Sequence, residues 1–270
     1  MIIFSRQLII FLLASLSLPA VIQASNLNQE SLIAGEIKQT LRQGKAIELT
    51  AGNLQFLAVY QETSLPAKKG GVIILHGTGQ NPDSPGIIRI LRTGLSRSGW
   101  DTLSLQMPLA FLNEDQTDPA SLIQEAAPRI GAATRFFSDK DNSNLAIVGF
   151  GLGADMAAGY LEKEADSSVF ALGMISLNAS QEATLQRLQN IKIPVLDIYG
   201  SRDLAAVIST ADDRKRAVMQ KAENPHFRQI EMTGADPFYS GLESSVLGPV
   251  RGWLNKHDAG MKTERTTPTR

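Results

Sequence analysis

Apolar residues recur along the chain in two alternating patterns, which predict a sheet whose strands are connected by helices. Short strand-type runs, several of them almost entirely apolar, occur at 71–75, 101–108, 144–150, 170–177, 194–199 and 227–232. Segments with apolar residues at helical spacing follow them at 84–95, 121–138, 154–161, 182–189, 208–222 and 242–255. Regular alternation of strand and helix is typical of an α/β fold with a mostly parallel sheet, whose central strands are buried on both faces.

The pattern before residue 71 is different. Apolar residues at helical spacing predict a helix over 28–43, and two strands over 45–50 and 54–61 are joined by Ala51-Gly52-Asn53, a sequence suited to a hairpin turn. The predicted fold class is therefore α/β, with a mostly parallel central sheet, an antiparallel N-terminal hairpin and helices on both faces.

Several helix limits are also predicted. Ser84-Pro85 places a capping residue before a proline at the first helical position, which favours a helix start there. Pro128 falls inside the predicted helix over 121–138 and is expected to interrupt or kink it. The helix over 208–222 is predicted to be continuous.

The N-terminal segment has the composition of an export signal. Arg6 precedes an apolar run over 8–18, and Ala24 provides a small residue at the expected cleavage point. We predict a signal peptide over 1–24, a helical lead over 25–44, one domain over 45–257 and a disordered tail over 258–270. The protein is expected in the periplasm or outside the cell, and it would contact a membrane only through an uncleaved signal segment.

Charge and composition exclude several function classes. The 26 lysines and arginines nearly balance the 27 aspartates and glutamates, which argues against a nucleic-acid-binding protein. The chain has no cysteine, so disulfides and thiol chemistry are excluded. We expect no metal and no cofactor.

The glycine-rich stretch Gly149-Phe150-Gly151-Leu152-Gly153 lies between a predicted strand and a predicted helix. One interpretation is a dinucleotide-binding loop, which requires an acidic residue about 20 residues later at the end of the next strand. That strand, 170–177, ends in Asn178-Ala179-Ser180, so the interpretation is disfavoured.

The same stretch resembles the nucleophile elbow of the α/β-hydrolase superfamily, G-x-S-x-G, in which a serine lies on a strained strand-to-helix turn. Gly149 and Gly153 match the outer glycines, but Gly151 stands at the nucleophile position. Glycine adopts such a turn without strain and has no reactive oxygen. The segments 77–108 and 199–203 are more closely similar to a bacterial family of exported α/β-hydrolase-like proteins of unknown function, a resemblance that implies a fold and no established reaction.

The resemblance also identifies the remaining positions of the site. His76-Gly77-Thr78 follows a buried strand, as the oxyanion loop of these hydrolases does, and Leu152 follows the nucleophile position. These residues are candidates for lining a cleft. The backbone N–H groups of such a loop stabilise the negative charge that develops in a reaction. In a protein without that reaction, the same loop binds a ligand.

The expected residue type is present at the acid position of the triad but not at the base position. The resemblance places the triad acid at Asp203, after the strand ending at Tyr199-Gly200, but the histidine position is occupied by Pro237, which cannot transfer a proton. Asp203 is alternatively a loop carboxylate that caps turns or pairs with Arg202. Asp236 is a further cleft candidate.

Two functions remain open. The first is a protein without serine-hydrolase activity that binds a small molecule or an envelope component. The alternative is an ester-type hydrolase that uses His76, Asp203 or Asp236. Thr78, Ser176 and Ser201 are possible nucleophiles, although no motif places a histidine beside them.

Overall fold

The computed structural model of the protein describes residues 25–111, 118–163 and 168–258. The predicted signal segment, part of the crossover after residue 111 and nearly all of the predicted tail lie outside the described residues. In the described ranges the strands are β1 (Lys45–Ala51), β2 (Leu54–Gln61), β3 (Gly70–Leu75), β4 (Trp100–Leu105), β5 (Leu145–Phe150), β6 (Val169–Ile175), β7 (Val195–Gly200) and β8 (Phe227–Met232).

The helices connect these strands in the predicted alternation. They are α1 (Leu27–Thr40), α2 (Ile87–Ser96), α3 (Pro119–Ser138), α4 (Leu152–Lys163), α5 (Glu182–Gln189), α6 (Ala205–Ser209), α7 (Ala211–Arg216) and α8 (Glu243–His257). None of the helices in the described part of the chain is long and apolar enough to span a bilayer.

All eight strands form one sheet in the order β1-β2-β4-β3-β5-β6-β7-β8. Strands β3 to β8 are parallel, whereas β2 pairs antiparallel with both β1 and β4. The hairpin register pairs Ala51 with Leu54, as the turn sequence predicts. The fold class predicted from the hydrophobic pattern is confirmed.

The core lies in two layers, one on each face of the sheet. Ile73 and Ile147 contribute to a layer under α3 and α4, whereas their neighbours Val72 and Val148 contribute to a layer under α2 and α8. Side chains alternate across a strand, so a continuous apolar run supplies both layers. The order of the chain therefore brings the C-terminal ends of β3, β5, β6, β7 and β8 to one edge, where ligands bind in such sheets.

The predicted start of α2 is wrong. The helix begins at Ile87 after Gly86, whose φ is +82°. The Ser84 hydroxyl does not cap the helix; it accepts a hydrogen bond of 2.8 Å from the Asn81 amide and closes the preceding turn.

The predicted helix over 208–222 is also not continuous. It divides into α6, α7 and a π-helical turn over Ala217–Lys221. Arg214 is fully buried and donates to the carboxylate of Asp197 at 2.9 Å and to the Val207 carbonyl at 2.7 Å. The break between α6 and α7 exposes this carbonyl to the guanidinium, and that contact requires tertiary structure.

The folded part includes the first residue of the predicted tail. Asp258 is buried and accepts a hydrogen bond of 2.7 Å from the Asn144 side chain, just before β5. Pro128 lies inside α3, as predicted.

Candidate functional site

The turn between β5 and α4 has the geometry of an elbow. The strand ends at Phe150, Gly151 adopts a φ of +54°, and α4 begins at once with Leu152. The Gly151 amide donates a hydrogen bond of 2.8 Å to the Ile175 carbonyl at the end of β6. This bond fixes the turn at the C-terminal edge of the sheet.

The two outer glycines of the motif are required by close packing. A Cβ on Gly149 would lie 2.5 Å from the backbone of Ala154, and one on Gly153 would lie 2.5 Å from the Leu75 carbonyl oxygen. Neither contact is compatible with ordinary van der Waals separation. These glycines let β5, α4 and the end of β3 approach one another.

Gly151 is different, because space is available above it. The nearest heavy atom to a Cβ at this position is the Gly77 Cα, at 3.8 Å, which is ordinary contact. Only the positive φ disfavours a side chain here, at a cost of about 1–2 kcal/mol. The absence of a hydroxyl at the nucleophile position is therefore not imposed by crowding.

His76 lies beneath the oxyanion loop and is fully engaged. Its Nε2 accepts a hydrogen bond of 3.0 Å from the Met107 amide. Nε2 is consequently unprotonated, so the proton is on Nδ1, which donates to the Gly77 carbonyl at 2.9 Å. Burial, opposed by this bond and assisted by the charge of Arg129, lowers the pKa of His76 to about 4. The imidazole is neutral at pH 7, and both of its nitrogens are used in holding two loops.

The neutral state of His76 has a consequence for stability. The unfolded chain binds a proton below about pH 6.5, whereas the folded chain does so only near pH 4, so acidification through this window favours unfolding. We expect the advantage in unfolding free energy of the wild type over His76→Gln to shrink between pH 7 and pH 5. Urea titrations at each pH measure this difference, and a constant gap would contradict a neutral buried imidazole.

The other members of the oxyanion loop are differently placed. The Gly77 amide donates to the Gln80 side chain at 3.1 Å, and Thr78 is exposed. Leu152 begins α4, and the Ala154 amide in the first turn of this helix donates to the Gly151 carbonyl at 3.0 Å.

Asp203 is a buried residue that holds three donors. Its carboxylate accepts hydrogen bonds from the Ser176 hydroxyl at 2.5 Å, from the Leu204 amide at 2.8 Å and from the Gly200 amide at 3.2 Å. These bonds agree with the interpretation of Asp203 as a turn-capping carboxylate. The charge of Arg202 instead helps to lower the pKa of Asp236. Two of the bonds to Asp203 close the loop after β7, and the bond from Ser176 connects that loop to the end of β6.

Ser176 and Tyr239 complete a buried cluster around this carboxylate. Ser176 follows β6 with a φ of +52°, and its hydroxyl lies 3.0 Å from the Tyr239 hydroxyl. Tyr239 is fully buried, and its ring packs edge-to-face on Phe150, with centroids 6.4 Å apart. Burial raises the pKa of the Tyr239 phenol, so the group remains protonated. Ser176 therefore meets a carboxylate and a phenol.

The loop after β8 carries the position expected for a histidine. Pro237 is half-buried there, between Asp236 and the strongly exposed Phe238. The Asp236 carboxylate accepts 2.9 Å bonds from the amides of Ser240 and Phe238, and these bonds lower its pKa. Asp203 and Asp236 are thus engaged separately, each in closing its own loop.

The remaining candidate nucleophile, Ser201, and the histidines other than His76 are dispersed. The Ser201 hydroxyl accepts a bond of 2.8 Å from the Gly234 amide. His226 and His257 lie beside each other, with ring centroids 5.5 Å apart, where β8 begins and α8 ends. Within the described ranges, no group of three or more histidine, aspartate or glutamate side chains is arranged to hold a metal ion.

A loop after β4 lies beside the elbow, against the oxyanion loop and the start of α4. Pro108, Leu109 and Ala110 line a cavity of about 20 Å³ together with the oxyanion loop, Leu152 and Met156. A single water needs about 10–15 Å³, so a cavity of this size holds little more than one water. Little space is therefore enclosed between this loop and the start of α4, whereas Gly151 and Leu152 remain partly exposed.

A larger cleft of about 510 Å³ lies at the opposite edge of the sheet, where β3 and β5 begin. Three lysines and three carboxylates line it, so it has no net charge that selects a ligand. The sequence-predicted candidates do not reach it.

Sequence reasoning missed the residues that organise the site from outside the motif. Tyr239 follows the histidine position by only two residues, and its aromatic character was the available signal. Glu30 and Arg129, which hold the loop after β4, gave no such signal because 99 positions separate them.

Comparison with solved structures identifies the class to which this architecture belongs. The chain is similar to a dienelactone hydrolase from Anabaena variabilis (19% identity, TM-score 0.65, 80% of this chain and 98% of that chain). It is also similar to Est1E from Butyrivibrio proteoclasticus (14%, TM-score 0.62, 78% and 98%) and to the esterase Pf2001 from Pyrococcus furiosus (16%, TM-score 0.62, 83% and 94%). The protein has the α/β-hydrolase fold, and the predicted resemblance is confirmed at the level of the fold.

Comparison by sequence gives the family. Residues 19–127 and 111–256 match the family described as protein of unknown function (DUF3530), and the chain belongs to this family. No curated protein matches the chain.

Proposed function

We propose that the protein is an exported, non-hydrolytic member of the α/β-hydrolase fold that binds a small molecule or an envelope component at the elbow edge of its sheet. One observation carries the proposal: the turn that presents the nucleophile in this fold presents Gly151, in space that would accept a side chain. Export is inferred from the sequence pattern of residues 1–24 alone.

The partners that a serine nucleophile needs support the same proposal. The base position is Pro237, and His76 is neutral with both ring nitrogens engaged. Loss of the nucleophile or the base alone costs about a millionfold in turnover in a serine protease. A chain in which both are replaced retains only what binding and the oxyanion site contribute.

Two features favour binding over loss of all function. The oxyanion loop and the N-terminus of α4 still meet beside the elbow, and a helix N-terminus favours an anionic or polar group. The loops after β7 and β8 also expose Leu204 and Phe238, at 57% and 72% of their surfaces. Both side chains are therefore accessible to a ligand or a partner at the loops that follow these two strands.

The decisive experiment is labelling with a fluorophosphonate probe together with turnover of short p-nitrophenyl esters. We expect neither labelling nor turnover above a boiled control, because the nucleophile position is Gly151 and the base position is Pro237. The same assays on Glu30→Ala, which we expect to uncover the elbow, separate a missing nucleophile from a covered one. Labelling of a serine in either protein would contradict the proposal.

A further inference from the structure

The loop that covers the elbow is bonded to the first helix of the described chain. The Leu109 amide donates to the Glu30 carboxylate at 3.1 Å, and the Leu109 carbonyl accepts from the Asn26 amide at 2.8 Å. Both backbone groups of one cavity-lining residue are therefore held by α1 and its cap. An extended loop bonded in this way cannot move while α1 remains in place.

A buried ion pair fixes the same contact from the other side. Arg129 of α3 donates to Glu30 at 2.8 and 3.2 Å and to the Gln106 carbonyl at 2.8 Å. Arg129 is fully buried, and Glu30 is 5% exposed. A buried pair holds its geometry tightly, because separating it leaves an uncompensated charge. Glu30 thus connects α1, α3 and the covering loop.

The rest of α1 has few buried apolar contacts with the sheet. Its apolar contacts form a small cluster in which Ile37 meets Leu57 and Val59. Leu32, by contrast, is 76% exposed. A helix with few buried apolar contacts is among the least stable parts of a structure, and such parts open locally more often than the core.

We propose that α1 is a strap that closes the elbow cleft through Glu30, and that release of this strap opens the cleft to its ligand. The inference rests on the proposed function, since it concerns access to the same cleft. The cavity beside the start of α4 that this loop lines has about 20 Å³, and moving Pro108 to Ala110 away would enlarge it.

The chain offers a clean reporter for this opening. It contains no cysteine, so Met156→Cys introduces a single thiol. Met156 lines the cavity and is 1% exposed. Its thiol will react with iodoacetamide only when the covering loop has moved.

The test compares Glu30→Ala and Glu30→Gln with the control Lys38→Ala, each in the Met156→Cys background. Lys38 lies on the same helix and pairs with Glu48 at 2.6 Å on the surface, away from the loop. We expect Glu30→Ala to accelerate alkylation and amide exchange over 106–111 by at least about tenfold, with Lys38→Ala unchanged and exchange in β5 still slow. Glu30→Gln keeps an acceptor for Leu109 but loses the charge that faces Arg129, and we expect a smaller acceleration.

Three results would overturn the strap. Unchanged alkylation and exchange in Glu30→Ala is the first. Acceleration spread equally over β5 and the loop is the second, because it would mean that the ion pair stabilises the whole fold. If Glu30→Ala does not fold, Glu30→Gln decides, and unchanged kinetics in that variant is the third. None of these readouts requires a ligand or an activity, so failure of the strap is distinct from failure of the proposed non-hydrolytic function.

Discussion

Replacing Gly153 by alanine is expected to lower the free energy of unfolding by at least about 3 kcal/mol, whereas Gly151→Ala is expected to cost about 1 kcal/mol. A Cβ on Gly153 would lie 2.5 and 2.6 Å from the carbonyl oxygens of Leu75 and His76, and backbone atoms of a buried strand cannot move aside. At Gly151 the only obstacle is a φ of +54°, which alanine tolerates with modest strain.

Chemical denaturation of both variants beside the wild type measures this difference. The order is informative, because an argument from backbone angle alone would make Gly151 the more sensitive position. Equal losses in the two variants would show that the space above Gly151 is not available to a side chain. That result would also remove the main support for the proposal that Gly151 replaces the nucleophile in a turn of unchanged geometry.

Asp203→Ala is the second change with a large expected effect, a loss of about 3–5 kcal/mol. The buried carboxylate satisfies two backbone amides and the Ser176 hydroxyl, and its removal leaves these donors without their acceptor. A triad acid that served only to orient a histidine would be needed for activity and not for folding. The size of the loss therefore distinguishes a structural carboxylate from a catalytic one.

Thermal and chemical unfolding of Asp203→Ala, Asp203→Asn and Asp236→Ala provide the comparison. Asparagine retains an acceptor and is expected to recover part of the loss. Asp236 lies at the same edge but closes an exposed turn, so its replacement is expected to have a much smaller effect. A stable Asp203→Ala variant would contradict the structural role.

Tyr239 and Ser176 surround Asp203 in the part of the site where the hydrolase resemblance places a histidine. Tyr239 turns inward two residues after Pro237, so the loop that would present a histidine anchors itself in the core. Its hydroxyl and Ser176 then occupy the surroundings of the Asp203 carboxylate. A group that would be costly to bury unpaired is satisfied by local partners.

Much of the site could be predicted from the sequence because its signals are local. A buried strand followed by spaced glycines indicates an elbow, and the identities of residues 151 and 237 state which groups are missing. The predictions that were wrong concern the limits of two helices. Ser84 and Asn81 formed a turn of their own, and Arg214 required a break in a helix that looked continuous, since its partner Asp197 comes from β7.

The hydrophobic pattern by itself determined the α/β class, the antiparallel start and the elbow, because periodicity and glycine spacing act over a few neighbouring residues. Only the tertiary structure decided that Asp203 is bound by Ser176, that His76 is neutral, and that Glu30 of α1 binds the Leu109 amide. These three outcomes depend on burial and on contacts between distant segments, and neither quantity is encoded in any single stretch of the chain.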